Sequence, residues 1–191
     1  SFEYLEKQNF VDKKRISFVG FSVGSSVAFT AASDSSISDE VNSLIFFGGY
    51  YNIFDYLESL HSESMILDEK KVRWMPNEGA TSHVNEILQT MKLGDLESVI
   101  KRKPSEFKSI SPSNFTSDFK ARIFILHEVS DSYVPYAESV KLRDNLPRGV
   151  QKTYLLVNLF EHVQPKKGFS KELLGEFLKL YGFIVNVFRY L

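Results

Sequence analysis

Four short apolar runs punctuate the chain, at residues 16–21, 41–47, 121–127 and 153–157. Each is rich in Ile, Val, Leu and Phe at consecutive positions rather than alternate ones. That pattern predicts strands covered on both faces, as in a parallel sheet. Helical spacing fills the intervals. Residues 2–9 carry Phe2 and Leu5 among charged neighbours and predict the end of an amphipathic helix. Residues 23–32 are small and helix-compatible, 136–145 predict another helix, and 171–191 predict a long closing helix with Leu173, Leu174, Phe177, Leu178 and Tyr181 as its buried stripe.

Strand, helix and strand at this spacing imply right-handed parallel crossovers. The interval from residue 53 to 120 is long for a simple crossover. It holds three helical stripes, Phe54/Leu57/Leu60, Val84/Ile87/Leu88/Met91 and Leu96/Val99/Ile100, with a break at Trp74-Met75-Pro76. The expected architecture is therefore α/β: one domain over 1–191, with a mostly parallel sheet of about four strands flanked by helices and a helical cap inserted at 53–120.

Composition narrows the chemistry. The 191 residues suffice for one domain with a real core. Basic and acidic residues number 23 and 24, so no basic face for nucleic acid is expected. Without cysteine there is no disulfide framework, thiolate nucleophile or Cys-based metal site, and this does not assign a compartment. The most apolar segment, residues 177–191, is too short to span a bilayer and carries Lys179 and Arg189. His61 and His83 fall in the insertion without metal-ligand spacing. No metal and no cofactor are expected.

The remaining chemistry sits at strand ends. Gly20-Phe21-Ser22-Val23-Gly24 follows the first strand and opens a helix, the context in which G-x-S-x-G presents a serine hydroxyl at a sharp turn. The strained backbone there calls for minimal neighbours on either side, which Gly20 and Gly24 supply. The first helical N–H groups face the hydroxyl. Asp131 follows the third strand and His162 the fourth, so all three residues fall where open α/β sheets build their sites. Tyr50 and Tyr51, after the second strand, fit a pocket wall and core packing equally well.

Three stretches carry a family resemblance. Residues 11–16 leading into Gly20–Gly24, the run Leu126-His127-Glu128-Val129-Ser130-Asp131-Ser132-Tyr133-Val134-Pro135, and Phe160-Glu161-His162 together resemble the C-terminal half of an α/β-hydrolase, in its esterase, dienelactone-hydrolase and oligopeptidase-like branches. The resemblance covers the chain outside the insertion. It implies Ser22 as nucleophile, His162 as base and Asp131 as orienting acid. With those roles the chemistry makes the Val23 N–H one oxyanion donor, and Phe21, Tyr50 and Tyr51 are the candidate substrate-binding positions. It departs from the family at Glu128, which stands where a glycine is usual, and around His162, which lacks the frequent flanking glycine.

The implied activity is serine hydrolysis of a small-molecule carboxylic ester or related acyl substrate. The alternatives are a peptidase or thioesterase of the same fold, and a non-catalytic relative serving as a binding module. The resemblance also implies strands and an oxyanion loop ahead of the elbow, supplied by a missing N-terminal segment or a partner chain. The first strand is then expected at an open sheet edge, and the segment alone is expected to show little turnover.

Overall fold

The computed structural model describes residues 2–161, 164–165 and 171–191. A short helix α1 (Phe2–Glu6) leads to strand β1 (Ser17–Phe21), which turns directly into α2 (Val23–Ala32). Strand β2 (Ser43–Phe47) follows. The insertion then contributes α3 (Ile53–Ser62), strands β3 (Ser64–Leu67) and β4 (Lys70–Arg73), α4 (Glu78–Thr90) and α5 (Leu96–Arg102). Strand β5 (Arg122–Glu128), helix α6 (Ala137–Asn145), strand β6 (Lys152–Val157), the two-residue strands β7 (Phe160–Glu161) and β8 (Gln164–Pro165), and α7 (Lys171–Tyr190) complete the order.

The main sheet runs β1-β2-β5-β6 and is wholly parallel, as the doubly apolar runs predict. Its register assigns the faces. Phe18, Leu44 and Ile123 align, as do Gly20, Phe46 and Ile125. This face packs against Phe29 and Ala32 of α2 and Leu142 of α6, with Phe119 stacked 4.3 Å from Phe29. The intervening residues Ile45, Phe124 and Leu126 face α7, where Phe183 and Val187 cover them. Central strands thus gain burial on both sides, and that burial is the main source of stability.

Strand β1 is one edge of this sheet. Among the described residues it pairs with β2 alone, and Val19 and Phe21 are 54% and 65% exposed. The expected open edge is therefore present. Among the described residues no helix is long and apolar enough to cross a membrane.

Two elements differ from the sequence reading. The stripe expected to bury α7 faces outward: Leu178 and Tyr181 are 62% and 67% exposed, and Leu174 and Phe177 are also exposed. The helix carries two apolar stripes, and the one ending in Phe183 and Val187 meets the sheet. Periodicity alone does not choose between them.

The insertion is also less helical than expected. Its three helices match the three stripes, but residues 64–73 form an antiparallel hairpin. Its turn places Asp68 and Glu69 both at positive φ, +48° and +62°. The insertion builds its own core around Leu57, Leu60, Trp74, Leu88 and Val99, continuous with Tyr50, Val134 and Ala137 of the main fold.

Candidate active site

The turn from β1 to α2 is held by one carbonyl. The oxygen of Phe47, at the end of β2, accepts from the Ser22 N–H at 2.7 Å and from the Ser25 hydroxyl at 2.8 Å. Ser25 Oγ in turn accepts from Phe47 N at 3.0 Å. The next residue, Ser26, does the same for Tyr50, accepting from its N–H at 2.9 Å and donating to its oxygen at 2.8 Å. Two buried hydroxyls therefore bolt the first turn of α2 to the end of β2. Composition disclosed only small residues here, because the partners lie 22 and 24 residues away.

Ser22 occupies the apex, at φ +52° and ψ −137°. A non-glycine residue in that region costs on the order of 1–3 kcal/mol and persists only where the surroundings enforce it. Its hydroxyl makes no capping bond to α2, and the residue is exposed. Gly20 is required by packing: a Cβ there would lie 2.4 Å from Ser25 Cα and 2.8 Å from Ser25 N. Gly24 is not required in the same way, since a Cβ there meets nothing within 4 Å. The two flanking glycines are thus not equivalent, contrary to the reading that both answer a steric need.

Asp131 lies beyond the end of β5. Its Oδ1 accepts from the N–H groups of Tyr133 at 2.7 Å and Val134 at 3.1 Å, a tight turn closed by the aspartate itself. Its Oδ2 lies 3.5 Å from Nε2 of His127 and 3.5 Å from where a Cβ on Gly48 would stand. Gly48 N donates to the Leu126 oxygen at 3.0 Å. The acid therefore sits above β5 and against the end of β2, the strand whose last carbonyl holds Ser22.

His127 is fully buried beneath this turn. Its Nε2 lies 3.0 Å from the Val134 oxygen, and its Nδ1 has no partner. Two oxygens flank Nε2, so that nitrogen carries the proton and donates to them. His127 supports the acid turn from below. From the insertion, Trp74 Nε1 donates to the Asp131 oxygen at 2.8 Å, and Asn77 N to the Ser132 oxygen at 2.8 Å. These two contacts had no sequence signal beyond the helix break at Trp74-Met75-Pro76.

The other expected positions separate. Val23 is the first residue of α2, adjacent to Ser22. Phe21 is exposed beside the elbow and meets Phe47 edge-on at 5.8 Å. Tyr50 is fully buried, stacked 5.6 Å from Tyr56, with its hydroxyl donating to the Ile110 oxygen at 3.1 Å. Of its two readings, that is core packing. Tyr51 is half-buried, and its N–H donates to Glu138 at 3.0 Å. His162 lies outside the described residues. The strands that flank it in sequence, Phe160–Glu161 and Gln164–Pro165, pair antiparallel just after β6.

Neither a protein-family model nor a curated protein matches the chain. Solved structures do match. An acylaminoacyl peptidase from Pyrococcus horikoshii superposes on 95% of this chain at a TM-score of 0.56 and 18% identity, over 25% of its own length. An acetyl xylan esterase from a Paenibacillus species superposes on 100% of this chain at 0.58 and 16% identity, over 50% of its length. A puromycin-hydrolyzing peptidase from Mycobacterium tuberculosis superposes on 82% at 0.58 and 13% identity, over 20% of its length. The chain spans a quarter or less of these peptidases and half of the esterase. All three structures have the α/β-hydrolase fold, and so does this chain.

Proposed function

We propose that this α/β-hydrolase-fold chain carries the nucleophile, acid and base of a serine hydrolase acting on a carboxylic ester or related acyl substrate. The observation that carries the reading is the conformation of Ser22. At φ +52° a glycine would be easier to accommodate, and the serine hydroxyl does no structural work as a cap. A serine held there at a cost, exposed at a strand-to-helix turn, serves chemistry better than stability.

In the proposed reaction His162 takes the proton from Ser22 Oγ as the oxygen attacks the acyl carbon. The Val23 N–H, at the start of α2, stabilises the oxyanion. The alcohol leaves with the proton from His162, and an acyl ester remains on Ser22. Water attacks that ester, giving a proton to His162, which passes it to Ser22 Oγ as the acyl–oxygen bond breaks, and the carboxylic acid and free Ser22 result. Asp131 orients the imidazole and stabilises its cation through Oδ2, since Oδ1 is committed to its own turn. Phe21 and Tyr51 border the acyl group. The exposed outer edge of β1 supports a further strand there, from elsewhere in the polypeptide or from a partner chain.

A peptidase of the same chemistry is the second reading, favoured by the two peptidases among the similar structures. Hydrolysis of p-nitrophenyl esters of graded acyl length by the intact protein, set beside peptide amides, tests both. Ester turnover that disappears in Ser22→Ala supports the proposal. Turnover that survives this substitution overturns it.

A further inference from the structure

Glu128, the residue that departs from the family pattern, sits where two connections leave the sheet. It is the last residue of β5, and the β5–β6 ladder closes with its pairing to Val157. Beyond that point the parallel strands separate, and their backbone groups need other partners. The Glu128 carboxylate supplies them in two directions. Its Oε2 accepts from the N–H of Leu159 at 3.0 Å, across 31 residues of sequence. Its Oε1 accepts from Ser130, from the hydroxyl at 3.2 Å and the N–H at 3.4 Å.

The two ends of this contact differ in what they lead to. Ser130 immediately precedes Asp131. Leu159 is buried and immediately precedes β7, whose last residue, Glu161, is the sequence neighbour of His162. One side chain thus joins the turn of the acid to the connection of the base. A glycine at 128 offers no acceptor there. A carboxylate makes stronger hydrogen bonds than a neutral oxygen, so it adds a charge-assisted rung beyond the end of the ladder.

We infer that Glu128 is a positioning residue, a two-ended latch that sets where the Asp131 turn and the His162 connection lie relative to one another. This rests on the reading of Asp131 and His162 as catalytic partners. Glu128 contacts the two connections, the Ser130 N–H and hydroxyl on one side and the Leu159 N–H on the other. Its effect on rate comes through geometry, and displacement by about 1 Å in such a site can cost on the order of 100-fold.

Glu128→Ala and Glu128→Gln in the intact protein test the latch by amide exchange and by kinetics. Glu128→Ala should raise exchange at Leu159 by about tenfold or more while Ile123 and Ile125 in β5 keep their protection. It should slow phosphonylation of Ser22 by a fluorophosphonate by about tenfold or more, and lower kcat on esters with KM held within about twofold. Glu128→Gln keeps the length and one carbonyl acceptor and should recover part of the rate; it also carries the comparison if the alanine variant does not fold. Unchanged Leu159 exchange, or a labelling rate within about twofold of the parent, overturns the latch. A parent protein in which Ser22 is not labelled overturns the triad reading instead, and the Leu159 exchange then judges the contact alone.

Discussion

The indole Nε1 of Trp74 donates a 2.8 Å hydrogen bond to the backbone oxygen of Asp131, across 57 residues of sequence. Trp74 follows the second strand of the insertion's hairpin and is buried in the insertion's core. The segment inserted between β2 and β5 is therefore tied to the acid turn, and removing that tie has a defined consequence. Trp74→Phe, which keeps a ring and loses the donor, should cost about 1 kcal/mol of stability. Trp74→Ala should cost about 3–5 kcal/mol through the cavity it leaves. Urea melts of the two variants check both figures, and the phenylalanine variant should also react more slowly at Ser22.

The elbow glycines make a paired prediction. Gly20→Ala drives a Cβ to 2.4 Å from the Ser25 backbone, so it should cost about 3 kcal/mol or prevent folding. Gly24→Ala meets nothing and lies within α2, so it should be neutral or stabilise by about 0.5–1 kcal/mol. Thermal unfolding of both variants separates them by sign.

Glu138 predicts the behaviour of a buried ion pair. Its Oε2 accepts from the N–H groups of Tyr51 and Asn52, each at 3.0 Å, and its Oε1 from Lys141 at 2.7 Å. This carboxylate anchors the chain as it leaves β2 for the insertion. Lys141 keeps Asp55, whose Oδ2 lies 2.7 Å from its Nζ, so Glu138→Ala chiefly strips two N–H donors of their acceptor and should cost about 1–3 kcal/mol. Denaturant unfolding measures the loss.

Alkaline stability follows from Tyr50 and Tyr56. Burial, and then the charge of Asp131, push the Tyr56 hydroxyl up to about 12 from its ordinary 10. Burial, and then Tyr56, also push Tyr50 up. The unfolded chain loses these protons near pH 10 while the folded chain retains them, so the folded state binds more protons in that window. Stability is accordingly full below pH 10 and falls from there through about pH 12, by up to about 1.4 kcal/mol per pH unit for each tyrosine. Urea melts between pH 9 and 12 should show the fall, and Tyr56→Phe should flatten it.

The sheet was legible because its signals are local. The run at β1, the Gly20–Gly24 turn and the runs at β2, β5 and β6 each declare themselves within a few residues, and chain order gives the crossovers. The hairpin at 64–73 was not legible. Its turn uses Asp68 and Glu69 at positive φ in place of the usual Asn-Gly, and β4 presents only Val72 among Lys and Arg. The closing helix was legible as a helix but not in its orientation, since Leu178 and Tyr181 compete with Phe183 and Val187 for the sheet. At the site, Ser22 and Asp131 were marked by motifs. Ser25, Ser26 and Trp74 were not, because their partners lie more than twenty residues away and only the fold brings them together. Glu128 was marked only as a departure from the pattern, and its bond to Leu159, 31 residues on, is seen only in the fold.

The central claim is that Ser22 is a nucleophile, and covalent labelling of the intact folded protein by a fluorophosphonate, mapped by peptide mass spectrometry, tests it most directly. A single adduct on Ser22, abolished in Ser22→Ala and formed about 100-fold or more slowly in His162→Ala, is the predicted result. A folded protein that takes no adduct at Ser22, or one whose labelling survives Ser22→Ala, contradicts it.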